Sequence, residues 1–174
     1  MPFAREIAVR VVLSISVFVL ASCAPAPGQT TRDRMLGAWE LRSRTVTRAG
    51  GEAIADAILG ARPIGRLYYD ASGRMGLQMM RQGRQQALTA PEDAEQAKNA
   101  RIITGYDSYF GTFTVDDAAG TVTHRVEGSL FPEDLGKDFT RRFRLDGDTF
   151  ELSFTSPDTG SGAITRTLVF QRAR

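Results

Sequence analysis

The sequence is poor in the residue types on which most catalytic and metal sites depend. Its 174 residues include one cysteine and one histidine, Cys23 and His124. A single cysteine excludes an intrachain disulfide, and one histidine with one cysteine leaves too few ligands for a His- or Cys-rich metal site. The sequence also has no Gly-x-Ser-x-Gly elbow and no phosphate-binding loop. It therefore predicts no cofactor and no metal.

An excess of one charge and a long apolar run are missing as well. The 22 lysines and arginines nearly balance the 20 acidic residues, and no basic run alternates with aromatic residues. This balance gives no support to a nucleic-acid partner. The strongest apolar run, Val11 to Leu20, is too short for a membrane-spanning helix, which needs about 20 apolar residues.

The apolar run is instead typical of the core of an export signal. Arg5 and Arg10 precede it, and the tetrapeptide Leu20-Ala21-Ser22-Cys23 follows it directly. This tetrapeptide resembles the lipobox of bacterial lipoproteins. The alternative is an ordinary secretory signal whose cleavage site happens to contain a cysteine.

The lipobox resemblance implies a defined modification and location. Cleavage would fall between Ser22 and Cys23, and Cys23 would carry a diacylglyceryl thioether and an acylated amine. Ala24, where inner-membrane lipoproteins have aspartate, favours the periplasmic face of the outer membrane. We therefore expect a signal peptide at 1–22, a flexible, proline-containing tether at 23–34 and one domain at 35–174.

Strand patterns dominate the predicted domain. Apolar alternation and turn residues such as Asp146-Gly147 separate the strands into hairpins. Eight strands in hairpin succession predict an all-β fold, an eight-stranded antiparallel up-and-down barrel, whose interior has room for side chains or one small ligand. The predicted strands are Trp39–Val46, Gly65–Asp70, Arg74–Arg81, Tyr109–Val115, Thr121–Val126, Phe139–Leu145, Thr149–Phe154 and Ile164–Gln171.

Two segments interrupt the strand pattern. Pro91–Ile103 begins with proline and acidic residues, as the first turn of a helix does, and is predicted to be a short helix between strands 3 and 4. Ala53–Leu59 is predicted to be a second short helix between the first two strands.

The segments Gly65–Arg81, Tyr109–Asp116 and Val122–Asp148, with the triplet Gly37-Ala38-Trp39, resemble the bacterial and fungal lipocalin-like domain family. This resemblance implies a calycin-type barrel. It also implies that an arginine of the last strand, Arg166 or Arg172, covers Trp39 and closes the barrel floor. The family does not imply one ligand, because a fold does not fix a function.

Alternation places three polar residues among apolar neighbours on the predicted inner face. They are His124, Arg141 and Arg166, and Tyr69 and Tyr109 add hydroxyl groups. A buried arginine needs a partner, and a ligand carboxylate or phosphate is a suitable one. We expect the barrel to bind a small hydrophobic molecule with an anionic or carbonyl head. The predicted ligand-binding residues are His124, Arg141, Arg166, Tyr109, Tyr69, Met75, Met79, Phe113 and Phe143.

Other roles remain open for the same residues. Arg141 could pair with Glu127 or Glu151, and His124 could be a hydrogen-bonded core residue. A histidine beside a tyrosine and an arginine could also serve an isomerase or cyclase of small molecules, with His124 moving the proton. A barrel filled by its own side chains would instead be a structural or interaction module of the cell envelope.

Overall fold

The computed structural model describes residues 28–84, 104–157 and 162–174. Within these ranges nine strands form one antiparallel sheet in the order β2-β1-β3-β4-β5-β6-β7-β8-β9. A short helix, α1, covers Thr31–Met35, and a 3-10 turn covers Pro132–Asp134. The strands are β1 Gly37–Arg48, β2 Ala53–Ile54, β3 Pro63–Tyr69, β4 Arg74–Arg81, β5 Tyr106–Asp116, β6 Thr121–Ser129, β7 Asp138–Asp146, β8 Thr149–Ser156 and β9 Ile164–Arg172.

Pairing of the last strand with the first closes the sheet into a barrel. The β1–β9 ladder runs from Trp39 opposite Arg172 to Arg48 opposite Ile164. The two-residue strand β2 pairs only with β1, so eight strands form the barrel wall. The predicted all-β, eight-stranded, up-and-down barrel is confirmed, and all eight predicted strands are present with ends shifted by a few residues.

Local sequence chemistry sets the hairpins. At the β3–β4 turn, one carboxylate oxygen of Asp70 accepts hydrogen bonds from the Ser72 hydroxyl and the Arg74 amide. Gly73 completes this turn with a φ of 88°, a conformation that glycine adopts without strain. Short turns of this kind keep consecutive strands adjacent, which gives the up-and-down order.

Two β-bulges change which residues face inward. On β1, Arg42 is the extra residue between Leu41 and Ser43, so that Arg44 faces the interior. On β6, Glu127 is the extra residue, and Gly128 then lies opposite the exposed Phe110. Simple alternation along β6 would place Gly128 inside, but a bulge reverses the side on which later residues point.

One end of the barrel is closed around Trp39, which is fully buried. Its indole N–H donates to the Met35 carbonyl at 2.8 Å, and its ring lies 5.2 Å from that of Phe150. The Arg172 guanidinium lies 4.2 Å from the Trp39 ring centre and donates to the carbonyls of Leu36 and Arg34. This is the arrangement predicted for Trp39 and Arg172, rather than for Arg166, at the barrel floor.

Two boundary predictions need correction. Ala53–Leu59 is not a helix: Ala53–Ile54 pairs with β1, and Asp56 then accepts from the amides of Ile58 and Leu59 in a turn, a local bond that competes with helix formation. Structure also begins before Met35, because Thr30 and Asp33 cap helix α1 reciprocally. The predicted tether is therefore folded over its last residues.

The predicted helix Pro91–Ile103 lies outside the described residues.

The β6 bulge yields a stability prediction. A Cβ on Gly111 would collide with the Arg125 carbonyl, whereas a Cβ on Gly76, in the neighbouring strand, would meet no atom within 4 Å. We expect Gly111→Ala to lower the free energy of unfolding by about 2 to 3 kcal/mol and Gly76→Ala to change it by less than about 0.5 kcal/mol. Chemical denaturation checks both variants. Equal effects would contradict the described contact at the bulge.

Candidate functional site

The barrel interior has an apolar floor and a polar upper half. The floor surrounds Trp39, Phe150 and Phe170, all fully buried. The opposite end, where β4 ends and β5 begins, is here called the upper end. Toward it, charged and polar side chains replace the apolar ones on the inward faces. They are Arg44, Asp107, His124, Arg141 and Arg166.

His124 lies between two tyrosines and uses both ring nitrogens. The Tyr69 hydroxyl is 2.6 Å from Nε2, and the Tyr109 hydroxyl is 2.8 Å from Nδ1. All three side chains are buried, with His124 at 0% exposure. They come from the end of β3, the middle of β5 and the middle of β6. These strands lie within four consecutive strands of the sheet, and the three side chains meet on its inward face. We call this chain Tyr69–His124–Tyr109 the relay.

Burial keeps the relay uncharged. Desolvation, aided by the positive charge of Arg141, holds the pKa of His124 well below its ordinary value of 6.5. Desolvation also raises the pKa of Tyr109 to about 12 and that of Tyr69 well above 10. The imidazole is therefore neutral and both phenols are protonated at neutral pH.

Arg141 lies beside the relay and is only 7% exposed. Its guanidinium carbon is 4.5 Å from the ring centre of Phe154, 5.1 Å from that of Phe139 and 5.6 Å from that of Tyr109. One terminal nitrogen donates to the Phe139 carbonyl at 3.3 Å, whereas Nε is buried and has no hydrogen-bond partner among the described residues. Neither Glu127 nor Glu151 pairs with it, since Glu127 lies near Arg74 and Glu151 lies opposite Arg144. The ion-pair alternative is therefore wrong.

The other inward arginines have partners. Arg44 forms a buried ion pair with Asp56, and burial, reinforced by Arg166, lowers the pKa of Arg44 to about 10. Arg166 donates to the Ser156 hydroxyl at 2.8 Å. Asp107 faces the same interior from β5, and its burial raises its pKa although Arg44 and Arg141 oppose the shift.

The nine predicted ligand-binding residues all face inward, but they fall into two groups. Tyr69 and Phe113 pack together at 4.4 Å, and Phe143 lies 6.5 Å from Phe150, so these rings belong to the packed core. Met75 is also buried there, at the second position of β4 after the turn with β3. The second group surrounds the polar upper half. It consists of His124, Tyr109, Arg141, Arg166 and Met79.

Sequence reasoning missed three charged residues of the upper half. Asp107 precedes Tyr109 by two positions, and extending the alternation by one step would have found it. Arg44 gives no such signal, because only the bulge at Arg42 turns it inward. Asp56 reaches Arg44 from a turn rather than from a strand of the barrel wall.

In the described ranges, no group of three or more His, Cys, Asp or Glu side chains is arranged to hold a metal ion. No helix in the same ranges has the length and apolar character needed to cross a bilayer.

Comparison with known families agrees with the barrel fold. Residues 36–173 match the model of the lipocalin-like domain, and the chain therefore belongs to that family. Comparison with curated proteins gives no match. A lipocalin-like barrel suggests the binding of small hydrophobic molecules, since an apolar interior with a few polar groups is the common form of such a site.

The buried, neutral His124 predicts a pH dependence of stability. The unfolded chain takes up a proton on this histidine near pH 6.5, whereas the folded chain does not. The free energy of unfolding should therefore fall as the pH drops below about 6.5, by up to about 1.4 kcal/mol per pH unit. Denaturation of the wild type and His124→Gln from about pH 7 to 5 checks this. Identical slopes in the two proteins would show that His124 is not buried in its neutral form.

Proposed function

We propose that the barrel non-covalently binds a small amphiphile whose anionic head lies against Arg141. The observation that carries this proposal is a buried guanidinium without a carboxylate within 4 Å among the described residues, and with an unsatisfied Nε. Arg44 also has a buried Nε without a hydrogen-bond partner, but its charge is paired with Asp56, and Arg166 donates to Ser156. Of the buried arginines in the described ranges, Arg141 is therefore the one whose charge lacks a carboxylate partner.

The energetics favour an anion at Arg141. Burying an unpaired ion costs several kcal/mol, and a cation–π contact returns about 2 kcal/mol when desolvated. The three rings around Arg141 offset part of this cost but cannot accept all five guanidinium N–H groups. A carboxylate or phosphate can accept two of these N–H groups in parallel. A bound anionic head would therefore supply both the missing acceptors and the missing countercharge of Arg141.

The surroundings of Arg141 suit an apolar tail. Phe139 and Phe154 line the guanidinium, and Met79 lies across the barrel on β4 beside Asp107. Methionine is unbranched and polarisable, so it can repack around ligands of different shape. The apolar tail would contact these side chains.

The geometry gives less support to His124 as a proton-transfer catalyst. Both of its ring nitrogens are hydrogen-bonded to tyrosines and the side chain is fully buried. A general base must reach the proton that it removes, directly or through one water. A substrate would first meet the Tyr109 hydroxyl, so we favour binding over isomerase or cyclase chemistry.

We further propose that Cys23 anchors the barrel to the outer membrane from the periplasm. Support comes from the lipobox-like Leu20–Cys23 and from α1, whose Arg32 and Arg34 donate to the Ala71 and Leu145 carbonyls near the closed floor. The chain from Cys23 to Thr31 can span at most about 29 Å. An anchor attached at this end would leave the upper end directed away from the bilayer, toward periplasmic ligands.

Arg141→Met should weaken binding of laurate roughly 10- to 100-fold, because a charge-assisted hydrogen-bonded pair is lost. Arg142→Met is the matched control, since Arg142 is the next residue of β7 and is exposed. Titration calorimetry with laurate and with methyl laurate checks both the head and the arginine. Equal affinity for acid and ester, or equal loss in the two variants, would contradict the proposal.

The anchor has its own test in the bacterial envelope. Cys23→Ser should abolish incorporation of labelled palmitate. The variant should either appear in the soluble fraction or keep its uncleaved signal peptide. Ser16→Ala keeps the cysteine and lies outside the tetrapeptide, so it serves as a control for substitutions in the signal region. Palmitate labelling of the Cys23→Ser chain would contradict lipidation at this residue.

A further inference from the structure

The relay contains more protons than hydrogen bonds. Two protonated phenols and one neutral imidazole together carry three exchangeable protons, whereas the relay makes two internal hydrogen bonds. The imidazole accepts at one nitrogen and donates at the other. One tyrosine therefore donates to His124, and the other accepts from it and retains a hydroxyl proton for a third group.

The surroundings of the two tyrosines differ. The Tyr69 ring lies 4.4 Å from Phe113 and 6.0 Å from Phe150, and His124 is the hydrogen-bond partner that the structure gives its hydroxyl. A spare O–H proton there would lie among apolar rings. Tyr109 lies in the polar upper half, beside the open guanidinium of Arg141 and on the same inward face as Asp107.

We propose that the relay orders its protons in one direction, from Tyr69 through His124 to Tyr109, so that the Tyr109 hydroxyl is a fixed donor to the anionic head held by Arg141. Tyr69 donates to Nε2, Nδ1–H donates to the Tyr109 oxygen, and the Tyr109 O–H is left for the ligand. Tyr109 then contacts the ligand, while Tyr69 and His124 are positioning residues.

This ordering deepens the proposed function and rests on it for the ligand class. A head with two acceptor oxygens, such as a carboxylate, can take a bond from Arg141 and one from Tyr109. A neutral alcohol gains less from Arg141, and an ammonium head is repelled by it. The relay therefore favours carboxylate-bearing amphiphiles over neutral ones of equal length.

The proton order can be measured without a ligand. His124 is the one histidine of the chain, so labelling histidine with a nitrogen isotope gives a single imidazole in NMR spectra of the full chain. We expect the proton on Nδ1 and an unprotonated Nε2, in the free protein and with laurate. A proton on Nε2, or an average of the two forms, would overturn the proposal.

Tyr69→Phe gives the decisive variant. It removes the donor to Nε2 without touching the ligand, so Tyr109 should now donate to Nδ1 and the histidine proton should move to Nε2. Laurate affinity should fall roughly tenfold, as in Tyr109→Phe, and the double variant should be no weaker than Tyr109→Phe alone. A purely structural role for Tyr69 would leave the histidine proton on Nδ1.

The outcomes separate the two proposals. If Arg141→Met weakens laurate binding while Tyr69→Phe changes neither affinity nor the histidine proton, the relay is overturned and the proposed function stands. If laurate does not bind the wild type, the proposed function fails, and the free-protein spectra still decide the proton order.

Discussion

Closure of the barrel by the β1–β9 ladder is the constraint on which the site depends. Once Trp39 pairs with Arg172 and the ladder continues to Arg48, the side chains of the closed floor and of the relay are removed from bulk water. Apolar side chains gain from this burial, whereas each polar one must find a partner inside. The polar residues of the upper half therefore differ in which hydrogen-bond or charge partner each of them has.

Four arginines, at the floor and in the upper half, are each stabilised by a different kind of partner. Arg172 covers Trp39, donates to two backbone carbonyls and lies 3.3 Å from the carboxylate of Asp148. Arg44 is neutralised by Asp56, and Arg166 donates to Ser156. Arg141 has aromatic rings and one long bond to its own strand. The first three stabilise the barrel, and the last is the one for which we propose a ligand.

Much of the fold could be predicted from the sequence, because its signals are local. Strand alternation and turn residues such as Asp70 and Asp146-Gly147 act over a few positions, and they located the eight strands. The same alternation placed His124 and Arg141 inside. Alternation fails at the two bulges, because a bulge depends on the pairing with the neighbouring strand and not on the sequence of one strand alone. The bulges at Arg42 and Glu127 turn Arg44 inward and Gly128 outward. Asp56 reaches the site from a turn, and the two-residue alternation of strands cannot predict a contact made by a turn residue.

The central claim is that a buried, incompletely paired Arg141 selects an anionic head inside the barrel. It is tested most directly by native mass spectrometry of the protein extracted from its own envelope, followed by identification of any bound molecule. The account predicts an amphiphile with a carboxylate or phosphate head that is lost in Arg141→Met and kept in Arg142→Met. A bound molecule with a neutral or cationic head, or one kept in Arg141→Met, would contradict it.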